Sequence, residues 1–453
     1  MMRLALPVLA ENLLHILVGV NDTWLANHIH LYTPAAQLAP ITARAQEAAA
    51  TAAVGTITYV LWFIGLLVGA VGTGSTAIIA RATGARHRRL ANSICGQSVS
   101  AACMTGIAVG GAMIVFASAI AAATGLHGDA HDFALSYVRM LGISLPLFML
   151  MFVANACLRG AGDTLTPAIA MIVVDIVNLA FSFGLTYGWA GLPKLGFDGI
   201  AAGTVIAYCA GGVLQAVVLL HGRGGIRLYV HRLRPHWHHL KRLLRIGVPA
   251  GIGDALQWLS NFFVLRWING MDATNVAAAA HTNAVRIESF SYMTGLALAT
   301  AAATLVGQSL GMNDPKRAAR SGWLTYAIGG GCMTGFGLFF ILFGRIPARL
   351  MSNDTAVVEL TTRCLMITGF IQPLFAAVCV FSGALRGAGD TMKVMLLTLS
   401  SILTIRLLGA YCIVRVFHLS LPYVWVILAS DLAVRGILLI LRFRFGGWRH
   451  LKV

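Results

Sequence analysis

Apolar residues run along this chain in blocks of about twenty or more, separated by short polar or basic stretches. A helix needs about twenty apolar residues to cross the hydrocarbon of a bilayer, so each block is a candidate span. Twelve are predicted, over roughly 5–27, 52–80, 94–122, 134–157, 165–188, 199–221, 244–269, 275–306, 322–344, 357–384, 392–414 and 421–441. The stretch from His28 to Ala50 is longer than its counterpart after the seventh span and reads as an extracytoplasmic loop insertion. The blocks are too long and too continuous for the alternating strands of a membrane barrel. The expected fold is an all-α integral membrane protein with twelve transmembrane helices in two pseudo-symmetric six-helix bundles.

The two halves are legible in a repeat. Residues Leu158 to Thr164 (LRGAGDT) recur unchanged as Leu385 to Thr391, an offset of 227. Ser75 to Gly84 answers Ala302 to Gly311 at the same offset, and each is followed by a short basic stretch. A period this long is a duplicated domain rather than a solenoid unit. The expected division is a bundle over 1–221, a cytoplasmic linker over 222–243 and a second bundle over 244–453. Each LRGAGDT has the chemistry of a helix-to-helix corner. Its glycines let the backbone turn, and Asp163 or Asp390 can cap the helix that follows. Arg159 and Arg386 mark the cytoplasmic side.

Composition agrees. Only 11% of residues are charged, against roughly 25% in soluble domains, while 58% are hydrophobic. The mean hydropathy is +0.79. A net charge of +17 suggests nucleic acid, but the Lys and Arg residues lie in short loops between spans. With the N-terminus inside, 22 of them fall in inside segments and five outside: Arg44, Lys194, Arg345, Arg349 and Arg415. That asymmetry predicts both termini on the cytoplasmic side of what is expected to be a bacterial inner membrane, with the lipid bilayer and not nucleic acid as partner. An even number of spans per half makes the repeats parallel, related by an axis along the membrane normal. No cleavable leader is expected, because the first span carries Glu11, His15 and Asp22. The eight cysteines form no CxxC pair. The linker histidines His231, His236, His238 and His239 lack a carboxylate or thiolate to complete a metal set, so the segment reads as a basic, solvated loop near anionic lipid. No metal or cofactor is expected.

Ionisable groups inside hydrocarbon need a reason. Six acids fall within spans: Glu11, Asp22, Asp175, Asp254, Glu288 and Asp431. Glu11, His15 and Asp22 share one face of the first helix. Asp175, Asn178 and Ser182 line a face of the fifth, and Asp254, Gln257 and Asn261 a face of the seventh. Such stripes serve a wet interior or interhelical hydrogen bonds. Asp431 lies four residues before Arg435, which is the spacing of an internal salt bridge. Glu288 has no partner evident in sequence.

Together the twin LRGAGDT corners, His281 to Ser289 (HTNAVRIES), Gly307 to Gly311 (GQSLG) with Asp314 to Arg317 (DPKR) after it, and Pro7 with Asp22 resemble the MATE (multidrug and toxic compound extrusion) family over nearly the whole chain. The resemblance implies a secondary antiporter; a monomer is expected. It would export organic, cationic or amphipathic compounds in exchange for protons or sodium, by alternating access between two bundles. The family's first-half cation site uses an Asp in the first span, matched by Asp22, and an Asn and an Asp four residues apart in the fifth. Asn178 matches the Asn; Ser182 stands where the acid is expected, and Asp175, one turn earlier, is its possible substitute. A Thr in the sixth span is matched by Thr204. Other members use a carboxylate in the tenth span, where this chain has Phe375. One acid fewer favours protons over a hard, oxygen-seeking sodium ion. Glu11, His15, Asp254, Gln257, Asn261 and Glu288 are the candidate substrate-cavity residues. A lipid-linked oligosaccharide flippase is the alternative. An enzyme is disfavoured, because no nucleophile–base pair, metal set or phosphate loop is present.

Overall fold

The computed structural model describes residues 1–29, 40–123, 126–272 and 275–451. Its helices are α1 (Met2–Asn27), α2 (Pro40–Gly84), α3 (Arg88–Val115), α4 (Ala117–Ala123), α5 (Asp129–Ala161), α6 (Leu165–Tyr187) and α7 (Phe197–His221). They continue as α8 (Trp237–Asn269), α9 (Val276–Gly311), α10 (Pro315–Phe343), α11 (Arg345–Met351), α12 (Thr355–Gly387), α13 (Thr391–Ser401), α14 (Leu408–Tyr411) and α15 (Leu421–Arg444). Among the described residues the extended structure amounts to one isolated bridge, Arg223 with Ile226. The fold is all-α.

Eleven helical segments among the described residues are long and apolar enough to cross a membrane. The other expected span, 244–269, lies within the 33-residue α8. Its stripe of Asp254, Gln257 and Asn261 makes it more polar than the rest. Two boundaries differ from expectation. Helix α2 begins at Pro40, so the second part of the stretch read as a loop insertion is helical; residues 30–39 lie outside the described residues. The eleventh span is not one α-helix: π-helical turns at Ile402–Leu407 and Cys412–Val416 follow α13 and α14. Single π turns inside α-helices concentrate at functional sites.

The chain divides into two compact units. One holds Ala10–Ser75 and Arg88–Leu243; the other holds Met1–Leu9, Thr76–His87 and Leu244–Val453. In this second unit Phe443 stacks on Trp448 at 4.6 Å and meets Phe381 at 4.8 Å, in a core shared by α9, α10, α12 and α15. The ends of α2 and α9 cross there with no room to spare. A Cβ on Gly84 would sit 1.9 Å from the Gln308 carbonyl, and one on Gly311 would sit 2.1 Å from that of Arg81. Gly84 and Gly311, like Arg81 and Gln308, are 227 residues apart, so the contact is reciprocal. The second landmark of the repeat is thus the place where its two copies meet.

The twin corners have one backbone geometry. Gly162 has φ 96° and Gly389 φ 83°. In the first corner the N–H groups of Gly162 and Asp163 bond the carbonyls of Arg159 and Leu158; in the second, Gly389 and Asp390 bond Arg386 and Leu385. A left-handed glycine closing a helix in this way satisfies carbonyls that would otherwise be orphaned. The two aspartates then diverge. Asp163 caps α6, accepting from the Thr166 N–H at 3.0 Å and its hydroxyl at 2.7 Å. Asp390 makes no cap bond to α13; it pairs with Arg442 at 2.7 Å instead. The expected cap is absent there because a cation from α15 takes the carboxylate.

The linker is more ordered than a solvated loop. The Gln97 side chain on α3 donates to the carbonyls of Arg232 and Arg234, both at 2.8 Å, and accepts from the His236 N–H at 2.7 Å. Asn92 accepts from the Arg227 N–H at 2.8 Å. The segment's backbone needs are therefore met on α3, while Arg223, Arg227 and Arg234 stay exposed. Burial holds the His239 imidazole below its ordinary pKa, with His236, His238 and Arg242 adding to the effect.

The two corner aspartates should respond unequally to removal. Asp163→Ala loses a cap, about 1 kcal/mol. Asp390→Ala leaves Arg442 without its partner and should cost more, about 1–3 kcal/mol. Fluorescence size-exclusion yield and thermal midpoints in detergent would read both. A more damaging Asp163→Ala would refute the assignment.

Candidate functional site

A carboxylate in a span must be neutralised by a cation or by a proton. Four of the acids have found arginines; three of them, Glu11, Asp390 and Asp431, are buried, and Asp254 is part exposed. Glu11 takes the Arg159 guanidinium at 2.6 Å and the Asn155 amide at 3.0 Å. Asp254 takes Arg386 with two bonds, at 2.7 and 3.1 Å. Asp431 pairs with Arg435, as the spacing suggested, and also with Arg406 at 3.2 Å. Asp390 has Arg442. Arg159 and Arg386 occupy equivalent places in the repeat, and each holds an acid from the first helix of its own half. They do more than mark a side of the membrane.

Asp22 is different. It is 3% exposed and has no ion pair among the described residues. Its Oδ2 accepts the Tyr137 hydroxyl at 2.7 Å and the Thr204 hydroxyl at 2.8 Å; its Oδ1 faces the Asn178 amide at 3.4 Å. The Asn178 amide also donates to Thr204 at 3.0 Å and Ser182 at 3.2 Å, while its oxygen takes the Asn21 amide at 2.8 Å. Four helices, α1, α5, α6 and α7, thus meet at one carboxylate through neutral groups. Local sequence explains the placement. Asn178 and Ser182 are four apart and share a face of α6. Gly203 lets α7 press against it: a Cβ there would lie 2.2 Å from the Ser182 hydroxyl and 2.5 Å from its backbone. Thr204, the next residue, then reaches Asp22.

Of the sequence candidates, Asp22, Asn178, Ser182 and Thr204 are brought together. Asp175 is not: among the described residues both of its buried oxygens lack a hydrogen-bond partner, and it makes no bond to the Asp22 cluster. Tyr137 and Asn21 were missed. The available signal was a tyrosine within an apolar span, since a buried phenol requires a partner. His15 is exposed and meets Phe152 edge-on at 5.1 Å. In the other unit, Gln257 accepts from Arg435 at 2.6 Å and donates to Asn261 at 3.3 Å. Glu288 finds the Thr368 hydroxyl at 2.5 Å. Phe375, at the family's tenth-span acid position, stacks on Tyr292 with ring centroids 5.8 Å apart. No group of three or more His, Cys, Asp or Glu suited to a metal occurs among the described residues.

Long apolar helices, a duplicated plan and buried acids sorted into paired and unpaired define a multi-pass membrane transporter, not an enzyme. The MatE family pattern matches residues 41–183 and 249–412. The chain belongs to the MatE family. It is 29% identical over 458 residues to the probable multidrug resistance protein NorM of Thermotoga maritima, covering all of this chain and 93% of that one. It is 27% identical over 382 residues to the probable multidrug resistance protein YoeA of Bacillus subtilis, covering 83% and 81%. A solved MATE structure in the bent conformation superposes with a TM-score of 0.87 at 22% identity, covering 98% of this chain and 94% of that chain.

Because α6 and α7 touch at Gly203, Gly203→Ala should overpack the cluster by about 1–3 kcal/mol. A lower thermal midpoint in detergent is expected. Ser182→Ala should relieve it only in part, since the Ser182 backbone remains in the way. An unchanged midpoint for Gly203→Ala would contradict the close approach.

Proposed function

We propose that this transporter exports small organic compounds, cationic or amphipathic, in exchange for protons, and that Asp22 is the residue whose protonation couples the two. The observation that carries this reading is a buried carboxylate held by neutral donors alone. Acids locked to arginines gain nothing by taking a proton. Asp22 has only hydrogen bonds to lose. As a carboxylate it accepts from Tyr137, Thr204 and Asn178. Protonated, it becomes a donor, and a hydrogen on Oδ2 would face two hydroxyl hydrogens already pointed there. One of them must turn to accept that hydrogen instead, so one of the bonds tying α1 to α5 and α7 reverses and the cluster rearranges.

The same cluster favours a proton over sodium. A hard cation wants several oxygens around it. Here the Asn178 nitrogen is the group facing Asp22, Ser182 and Thr204, and its oxygen is engaged by Asn21. The acid that would add charge is Ser182 instead. With both termini cytoplasmic, Asp22 loads from the outside and unloads inward as halves 1–221 and 244–453 alternate in access. Proton and substrate need share no atom; they need only favour opposite states.

Reconstitution into liposomes with an imposed pH gradient tests this. Rhodamine 6G efflux should follow the gradient in the wild type and be abolished in Asp22→Asn, which keeps shape but not the titratable proton. Asp254→Asn and Asp175→Asn should cost less. Wild-type efflux by Asp22→Asn, with loss in Asp254→Asn, would move coupling to the second unit. Efflux driven at constant pH by a sodium gradient would overturn the choice of ion.

A further inference from the structure

Two of the five basic residues expected outside the cytoplasm, Arg345 and Arg349, stand four apart on the short helix α11 (Arg345–Met351). At that spacing they share a face. Ile346 and Leu350 form the next stripe round the helix, and both are exposed, Leu350 by 82%. Leu342 and Phe343, at the end of α10, are exposed as well. A cationic stripe beside an apolar one suits a helix lying in the bilayer interface. Helix α12 follows and runs 33 residues to the Arg386 corner, roughly 50 Å. The hydrocarbon is about 30 Å thick, so the two ends of α12 reach the headgroups of opposite leaflets.

Both arginines line one cavity of about 230 Å³, together with Ser352, Asn353, Thr355 and Val358. A water takes about 30 Å³ of liquid volume, so the space holds about seven heavy atoms, enough for a phosphate and the carbons beside it. Each polar side chain of the lining can donate a hydrogen bond. No acid lines the cavity among the described residues, and the acids nearby are engaged elsewhere. The Asp354 carboxylate caps α12, accepting from the Ala356 N–H at 2.8 Å and the Val357 N–H at 3.4 Å. Glu359 holds Arg363 at 2.6 Å. The Ser352 oxygen accepts the Asp354 N–H at 3.2 Å, which leaves its hydroxyl hydrogen to give. Arg345 and Arg349 make no ion pair among the described residues.

We propose that this cavity of the second unit binds the phosphate of an anionic phospholipid of the outer leaflet, with Arg345 and Arg349 on its oxygens and the acyl chains along Ile346 and Leu350. Guanidinium forks match phosphate oxygens two at a time. Two cations on the side that loops normally keep poor in charge call for an anion there. A soluble phosphate would answer the arginines but leave the apolar stripe bare; a lipid answers both. The bound lipid fastens α11, the connection between α10 and α12, to the bilayer. The site lies apart from the Asp22 cluster and does not depend on the coupling ion.

The test reconstitutes the full-length protein in phosphatidylcholine liposomes with a trace of phosphatidylglycerol carrying a photoactivatable diazirine on its headgroup. Adducts are mapped to peptides by mass spectrometry. In the wild type, peptides spanning 342–358 should be labelled, and excess unlabelled phosphatidylglycerol should suppress the labelling. Arg345→Gln combined with Arg349→Gln should cut adducts there about tenfold, while labelling of the 222–243 linker stays within about twofold and controls for folding and lipid content. Arg349→Lys keeps the charge but not the fork; it should lose about threefold, and it decides the matter if the double variant is not recovered. Absence of adducts over 342–358, or an equal loss there and in the linker, overturns the proposal. So does equal labelling by the phosphatidylcholine analogue of the probe, which would show ordinary bilayer contact. Suppression by glycerol phosphate as effective as that by the lipid also overturns it, by assigning the cavity to a soluble anion.

Discussion

An ionised carboxylate cannot sit in hydrocarbon uncompensated, and the chain answers that demand in two ways. Where an arginine is within reach, the pair forms and the acid is fixed: Glu11 with Arg159, Asp254 with Arg386, Asp431 with Arg406 and Arg435. At Glu11 and Asp431, where the pair is buried, breaking it strands a buried charge, at a cost of about 3–5 kcal/mol, so these residues hold helices together. Where only hydroxyls and amides are within reach, as at Asp22, the remaining way to shed the charge is to bind a proton or a cation. What stands next to each carboxylate thus separates the acids fixed by arginines from the one held by neutral groups.

Duplication supplied the scaffold twice and then let its details drift. The same seven residues build the same left-handed corner in both halves, with the same two backbone bonds. Yet Asp163 caps its helix while Asp390 answers Arg442. Both corner arginines retained an acidic partner from the first helix of their half. The rest of the polar interior diverged further. The first half kept an acid among neutral donors, and the second gathered two arginines, Arg406 and Arg435, on Asp431. A backbone motif tolerates such drift because its glycine and its carbonyls do the structural work whatever the neighbouring side chains become.

Small residues set how closely the helices approach, and through that distance they set the chemistry. Gly203 brings Thr204 within 2.8 Å of Asp22, and the Gly84–Gly311 crossing joins the two copies of the second landmark. In lipid there is no hydrophobic force between apolar helices, so close backbone packing is a principal source of their association.

The sequence by itself determined what depends on local physics. Length and continuity of the apolar blocks set the helices. The recurrence at 227 residues set the duplicated plan, and three- and four-residue spacings set which polar groups share a face, including Asp431 with Arg435. Those properties follow from helical geometry and the cost of polar groups in a membrane, and need no knowledge of neighbours. Only the tertiary structure decided partnerships between helices. It joined Tyr137 and Asn21 to Asp22, left Asp175 out, gave Glu11 and Asp254 to the corner arginines and docked the linker on Gln97. It also placed the π turn under Arg406. Each of these is a contact between residues far apart in sequence. Which of several arginines or hydroxyls meets a given acid depends on how closely and at what angle helices pack, and hydropathy does not encode that.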